Sequence, residues 1–504
     1  MDRRLRINYT TDLHGFFSAE DYATGKRGAS GLIHCMQAFA RGENVLTLDG
    51  GDTIHGSPFT ACLPALGYSP GETAAALMNI AGYAAVTLGN HDFSFGRKEL
   101  EKYIAALEAK CLCANVRGVK GVLPYSLFPL ANGLTVGVCG ITTDYLPRIE
   151  KPENLQGVTF TDAFTAAEAA LEELKKAGAD ITVCLYHGGF EADPETGRIL
   201  SVTGEDIACR LCGELSYDIV LTGHRHMNIS GKTVQNSFAA QTEDKGKCFL
   251  LLEGSFSDTG KKSFSAQLLP PSGAGCPAAE RFLAPIEAAV DCMLDTPVGS
   301  FDREIPALQH LEAALHGSPL ANFFNRVQLD YTGADISCAA LSNTPAGLPE
   351  AVSMRNILSA YPYPNVLKVL LVSKATVKAA LERCAEYFTL TPAGKITLSE
   401  AFLSPPQHFN FDYFYGIRAV LDISRPCGDR VRSIRYRGRE WEDGKQLKLC
   451  LNDYRAAGAG GYAMYCGCAV LFDGREEISS LLTDYLRSHP SVLVDTAHYL
   501  TLLT

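Results

Sequence analysis

Positive charge is scarce in this chain. Among 504 residues, 45 Lys and Arg stand against 56 Asp and Glu, 45 − 56 = −11, and no stretch clusters its basic residues. A surface that neutralises a polynucleotide backbone needs such a cluster, so no polynucleotide partner is expected. Long apolar runs are also missing. None approaches the ~18–20 residues of a membrane helix, and the start, MDRRLRINYTTDLHG, passes from a basic pair into a polar motif without the apolar core of a secretion signal. No membrane association is expected, and the reading is a cytoplasmic protein, or a periplasmic or secreted one whose leader has been removed. Internal repeats and low-complexity tails are absent as well, and nothing points to a protein partner. The 17 cysteines, an odd number, fall in apolar segments such as VGVCGI and ITVCLY, where they read as small buried hydrophobes suited to a reducing compartment. Cys209 and Cys212 form a C-x-x-C with no second pair to complete a zinc site.

What is present describes a compact protein: 46% hydrophobic residues, 20% charged, 46 Gly and 24 Pro. The length is too great for one core, so two domains are expected. Over residues 1–270 short apolar runs (LRINY, VLTLD, AAVTL, LTVGVCGI, ITVCLY, DIVLTG) alternate with helical stretches (RKELEKYIAALEAK, DAFTAAEAALEELKKAG), an α/β pattern. PSGAGC breaks the chain, and PAAERFLAPIEAAVDCML reads as a connecting helix kinked by Pro285, giving a linker over 271–296. Residues 297–504 form a smaller mixed α/β segment, with helices in ALQHLEAALHGSPLANFFNRVQ and KATVKAALERCAEYF and strands in VLKVLLV, RAVLDIS and QLKLCLN.

The N-terminal strands that close on polar residues all close on metal-type ligands: Asp12 and His14 in TTDLHGF, Asp52 in DGGDT, Asn90 and His91 in GNHD, His187 in LYHGG, His224 and His226 in TGHRH. In open α/β sheets such residues converge beyond the carboxyl ends of the strands. Taken singly, His187 could pack in a core, Asp52 could sit in a turn and GHRH could be a solvated loop. Jointly they build one site, while His34, His55 and the C-terminal histidines read as structural. Imidazole, carboxylate and amide without thiolate suit zinc, manganese or iron better than calcium. Even with His91 set aside, the remaining seven ligands exceed the need of one ion, and a carboxylate such as Asp52 can bridge two. Two divalent ions about 3.5–4 Å apart can hold a hydroxide and clamp a phosphoryl group during in-line attack.

The motif order D-x-H, G-D, G-N-H-[DE], H, G-H-x-H resembles the calcineurin-type metallophosphoesterases. Over the whole chain it resembles the 5′-nucleotidase and 2′,3′-cyclic-nucleotide phosphodiesterase family. That likeness implies a four-layer αββα metallophosphoesterase domain, a linking helix, and a C-terminal nucleotide-binding domain that rotates to deliver substrate. It implies that Asp12, His14, Asp52 and His226 hold one metal ion and that Asp52, Asn90, His187 and His224 hold the other. Asn90 and His91 are then the catalytic pair, His91 meeting the phosphoryl group or the leaving oxygen as acid or transition-state stabiliser.

Two departures bear on the branch. The 5′-nucleotidase branch reads G-N-H-E-F-D, its last Asp orienting the catalytic His. Here Ser94 stands at that place, and a hydroxyl stabilises an imidazolium less than a carboxylate does. Asp92 is adjacent in sequence, and its side chain could point toward the ring or elsewhere. In the second half, SAYPYPNVL and LNDYRAAGAGGY look like the cyclic-phosphodiesterase/3′-nucleotidase branch, and by that likeness Tyr363 and Tyr454 sandwich the base, Asn365 faces its edge and Arg455 contacts substrate. Core packing for the tyrosines and an ion pair for Arg455 are the alternatives. Gly460 replaces the Asp of G-G-D-G that binds ribose hydroxyls, which fits a substrate whose 2′ and 3′ oxygens are already esterified. The expected activity is dimetal-dependent hydrolysis of 2′,3′-cyclic nucleotides and 3′-nucleotides. 5′-Nucleotides are the runner-up substrates, and a catalytically silent nucleotide-binding protein is the rival of another class.

Overall fold

The computed structural model describes residues 3–257, 260–489 and 491–504. It divides into two compact units, Met1–Asp291 and Cys292–Thr504, the boundary falling inside the helix Pro277–Asp295, which continues through Pro285.

The first unit is built on two six-stranded sheets. In one, the order is Lys262–Leu269, Phe249–Phe256, Arg3–Thr10, Val45–Asp49, Ala85–Val86, Lys110–Cys111; in the other it is Ile229–Val234, Ser237–Gln241, Ile219–Thr222, Ile181–His187, Thr135–Thr142, Tyr125–Pro129. Central strands pair in parallel, as does the short edge strand Lys110–Cys111, and the other outer strands pair antiparallel. Every residue of Ile181–His187 is buried, the near-continuous apolar run of a strand covered on both faces. Leu5, Ile7, Leu48, Val136, Val183, Leu221 and Leu250 fill the space between the sheets. On the far side of the second sheet, the helices Ala163–Lys176 and Ala208–Glu214 bury Leu171, Leu174 and Leu211 against Cys139, Cys184 and Val220. The first of these starts where the Asp162 side chain accepts from the Thr165 N–H at 2.7 Å and ends on Lys175 and Lys176, both favourable to the helix dipole. The helices Leu32–Ala38, Pro70–Ala81 and Arg97–Ala106 alternate with strands of the first sheet, and Phe39 meets Phe249 edge-on at 5.2 Å. The result is αββα. Because the central strands are parallel, Thr10, Asp49, Val86, His187 and Thr222 all end on one side.

The second unit holds a five-stranded sheet, in the order Asp412–Tyr415, Ile336–Ala340, Gln446–Asn452, Val366–Ser373, Ala469–Glu477. It also holds a four-stranded sheet of Arg439–Glu440, Val431–Tyr436, Ile417–Asp422 and Leu500–Leu503. The stretch ALQHLEAALHGSPLANFFNRVQ is two helices, His310–His316 and Pro319–Thr332. Gly317 ends the first with φ 94°, and Ser318 caps the second with Pro at its first position. All 17 cysteines are free thiols, ten of them buried.

The polar pin of this unit is Arg455, 2% exposed. Its Nε donates to Asp412 Oδ1 and Oδ2 at 3.1 and 2.9 Å, and Nη2 donates to Asp412 Oδ1 and to the Phe409 carbonyl, both at 2.9 Å. Nη1 donates to Asn410 Oδ1 at 3.4 Å and to the Ala459 carbonyl at 2.9 Å, and the Tyr462 ring lies 4.0 Å from the guanidinium carbon. The expected substrate contact for Arg455 is therefore corrected: its donors are spent inside the domain, as a buried guanidinium requires. The conformation of Gly460 has a local reason too. At φ +71° a Cβ would stand 2.1 Å from Asn410 Oδ1 and 2.4 Å from Arg455 Nη1. Arg455→Met should strand Asp412 and cost about 3–5 kcal/mol of stability, measured by urea denaturation, and Arg455→Lys should not restore it because an ammonium lacks the planar fork.

Candidate metal centre

Five of the eight non-glycine residues with positive φ among the described residues are candidate ligands: Asp12 (54°), His14 (49°), Asp52 (58°), His224 (69°) and His226 (51°). Left-handed backbone costs about 1–2 kcal/mol per residue, and it persists where surroundings over-determine it. Here the loops are laced together. The Asp12 N–H donates to the Gly51 carbonyl at 2.8 Å, the His14 N–H to the Asp52 carbonyl at 2.7 Å and the Gly15 N–H to the Thr53 carbonyl at 2.9 Å. The His224 N–H reaches both oxygens of Asp12 at 3.0 Å. Gly89 is needed where it stands, since a Cβ there would fall 2.1 Å from Asp52 Oδ1.

These turns bring the ligand types together. Donor atoms of Asp12, His14 and His226 lie within 4.8 Å of one another, as do those of Asp52, His187 and His224, and those of His14, Asp52 and His91. Asp52 stands between the groups: its Oδ2 is 3.2 Å from His187 Nε2 and 3.9 Å from His14 Nε2, while Oδ1 accepts the His91 N–H at 2.7 Å. His14 Nε2 and His226 Nε2 are 3.2 Å apart, the latter 3.4 Å from Asp12 Oδ1. A ring nitrogen of His14, His187 and His224 meets a neighbouring oxygen within hydrogen-bond distance, while that of His226 lies farther from its neighbour. His14 Nδ1 faces the His55 carbonyl at 3.2 Å and His187 Nδ1 the Gly50 carbonyl at 2.7 Å. His224 Nε2 faces Glu205 Oε1 at 2.8 Å, and His226 Nδ1 lies 3.6 Å from Asp244 Oδ2.

The electrostatics are those of anions and imidazoles crowded out of water. Burial works against charge on Asp12 and Asp52, yet the surrounding histidines, His226 and His187 foremost, hold both carboxyls below the usual range. Burial pushes His14 down to about 4, against the pull of Asp52. His187 also loses hydration, but Asp52 and Asp12 outweigh that and push it up to about 10. Among the described residues, the buried side-chain atoms without a hydrogen-bond partner include two of this centre, Asn90 Oδ1 and His187 Nε2. A buried polar atom left unpaired costs free energy, and both atoms belong to residues of ligand type, so the residues present fit divalent cations.

The GNHD stretch resolves as follows. The Asp92 carboxylate accepts the N–H groups of Asp52 (2.9 Å), Thr53 (2.8 Å), Ile54 (3.1 Å) and Gly89 (2.8 Å), so it fastens two ligand loops to each other rather than serving the His91 ring. Ser94 Oγ donates to Glu150 Oε2 at 2.6 Å and is likewise committed elsewhere. The His91 ring is placed by packing, edge-on to His14 at 5.1 Å and parallel to His55 at 5.6 Å, with Phe95 edge-on to His55 at 4.9 Å. Sequence reading missed Glu205, Asp244 and the part played by the His55 carbonyl. None of them sits in a motif whose residue types announce it.

In the second unit, the segments carrying Tyr363, Asn365 and Tyr454 are joined by the Val366 N–H, which donates to Asp453 Oδ1 at 3.2 Å. The Asn365 carbonyl accepts from Ile478 at 2.9 Å. Tyr363 is half-buried against Tyr361 at 6.1 Å, and Tyr454, 42% exposed, meets Phe409 at 6.4 Å, an aromatic that sequence reading did not single out. Asn343 accepts the His408 N–H on its side chain, and Asn322 donates to the Asp495 and Ala497 carbonyls.

Comparison with known proteins follows the same division. The calcineurin-like phosphoesterase family matches residues 5–228, and the 5′-nucleotidase C-terminal domain matches residues 297–466. The chain is 25% identical to a 2′,3′-cyclic-nucleotide 2′-phosphodiesterase/3′-nucleotidase of Haemophilus influenzae, over 97% of this chain and 85% of that one. A Staphylococcus aureus protein provisionally designated a 5′-nucleotidase, solved with alpha-ketoglutarate, is 30% identical, with all of both chains covered and a TM-score of 0.74. The NAD nucleotidase of Haemophilus influenzae, 17% identical with a TM-score of 0.63 over all of this chain and 99% of that one, shares the fold.

Because His187 without a cation is protonated below about 10 and a ligating imidazole must be neutral, ion uptake near pH 7 should expel its proton. Affinity should then rise with pH, by about tenfold per unit for this one proton. Calorimetric titration with zinc in buffers of different ionisation enthalpy checks it, and a heat independent of buffer would contradict it.

Proposed function

The chain belongs to the calcineurin-like phosphoesterases that carry a 5′-nucleotidase C-terminal domain, and on that premise we propose that it hydrolyses 2′,3′-cyclic nucleotides and 3′-nucleotides. It is a metal-dependent phosphoric ester hydrolase of the nucleotidase type. The observation that carries the reading is the position of Asp52, one carboxylate oxygen within 4 Å of imidazoles from two separate ligand groups.

In this reading Asp12, His14, Asp52 and His226 hold one divalent ion, of the zinc or manganese class, and Asp52, Asn90, His187 and His224 hold the other. Such ions supply Lewis acidity toward phosphoryl oxygens and lower the pKa of water. The chain's own residues do the rest. Asp52 keeps the two ligand sets in register and, through the His91 N–H, fixes the main chain that bears the catalytic ring. During hydrolysis the oxygen of water bonds to phosphorus and the P–O ester bond on its far side breaks. The His91 ring, on the rim beside His14, gives a proton to the departing oxygen. Neither Asp92 nor Ser94 contributes to that transfer.

The finer substrate preference draws on the named activity of the Haemophilus relative, on the YPN and NDYRA segments, and on Gly460 in place of a ribose-binding acid. The whole-length likeness to the designated 5′-nucleotidase of Staphylococcus favours 5′-nucleotides as the second reading. Tyr454, exposed and edge-on to Phe409, is the aromatic face open to a base.

Purified protein with manganese or zinc should turn over 2′,3′-cyclic AMP and 3′-AMP with at least about tenfold higher kcat/KM than 5′-AMP, a difference of about 1.4 kcal/mol. A preference for 5′-AMP would move the assignment to the second reading, and hydrolysis of an aryl phosphate alone would remove nucleotides from it. Tyr454→Ala should raise KM for nucleotides about tenfold or more, in line with about 1–3 kcal/mol of base stacking, and leave an aryl phosphate unchanged. Equal losses on both substrates would count against stacking.

A further inference from the structure

The long connection that leaves His187 returns to the centre through Glu205 and Asp206, just ahead of the helix Ala208–Glu214. Glu205 is fixed at three points. Its carbonyl accepts from Thr143 Oγ1 and from the Tyr186 hydroxyl, each at 3.1 Å. Its Oε2 accepts from Arg225 Nη2 at 2.7 Å, and its Oε1 faces His224 Nε2 at 2.8 Å. Arg225 is held in turn by Asp206, which accepts from Nε at 3.0 and 3.1 Å and from Nη2 at 2.6 Å, while Asp206 Oδ1 also accepts the Gly189 N–H at 2.9 Å.

An ionised carboxylate only accepts, so His224 carries its proton on Nε2 and presents the Nδ1 lone pair. His14 and His187 lean on backbone carbonyls, and Asp244 stands 3.6 Å from His226. Among the described residues, Glu205 is thus the one carboxylate outside the ligand set within hydrogen-bond distance of an imidazole of the centre. A carboxylate partner orients a ligating imidazole and makes it more basic toward a cation.

We propose that Glu205, locked by Arg225 and Asp206, is a positioning residue that presents His224 through Nδ1 and thereby sets the affinity for one of the two ions, the one His224 shares with Asp52, Asn90 and His187. The inference rests on the metal-centre reading above. It assigns a task to an acidic pair that no ligand motif contains, and it gives the arginine between the two late histidines a part: its guanidinium holds the second Glu205 oxygen at 2.7 Å.

The full chain is stripped with a chelator and titrated with zinc against a chromogenic competitor, ions retained being counted by mass spectrometry. The unaltered chain is expected to bind two ions. Glu205→Ala should keep one at its original affinity and bind the other about 10–100-fold more weakly. Glu205→Gln, which retains shape and an acceptor but not the charge, should weaken the same ion by less. Two ions held as tightly as in the unaltered chain, or both weakened alike, would overturn the proposal. If Glu205→Ala proves unfolded by circular dichroism, Glu205→Gln decides by the same criterion. Failure of the unaltered chain to bind zinc at all would instead overturn the metal-centre reading itself, before any variant is compared.

Discussion

Four backbone N–H groups from two loops converge on one buried carboxylate, Asp92, and the centre depends on that convergence. The amides of Asp52, Thr53, Ile54 and Gly89 lie in irregular stretches beyond the strands Val45–Asp49 and Ala85–Val86 and would otherwise be unpaired in a dry interior. By taking them up, Asp92 holds Asp52 in a left-handed conformation that it would not adopt unaided, and brings the Gly89 backbone against its side chain. Burial and the neighbouring Asp52 push the Asp92 carboxyl up to about 6, so the fastening is made at an electrostatic cost, as expected where strain serves a site.

Much of this was legible in the sequence, and for a physical reason. Ligands at strand ends sit beside apolar runs, so the strands VLTLD and ITVCLY announce both the fold and the place of Asp52 and His187. The parallel strands were readable because they are apolar throughout. The outer antiparallel strand Lys262–Leu269 was not: it reads KSFSAQLL, alternating polar and apolar because one face meets solvent. AAVTL yields only the pair Ala85–Val86, because the chain turns at once into the ligand loop.

The site shows the same division. Asp, His and Asn in glycine-flanked motifs were visible, whereas the groups that orient them were not, since a carbonyl such as that of Gly50 has no side chain to read. Asp92 was visible and ambiguous, and only its distances show that it serves the backbone instead of the neighbouring ring. Arg455 was the opposite case. A charged residue in a substrate-like motif proved to be an interior fastening of the second unit, its five N–H groups all engaged.

That fastening also constrains how the protein can change. An acid at position 460 would collide with Asn410 and Arg455 and would have to adopt φ +71°. To admit a side chain there, the arginine, its carboxylate partner and the neighbouring asparagine would have to be rebuilt in concert. Any side chain placed there alone would carry a folding cost, so the residue at position 460 is set by the interior fastening beneath it.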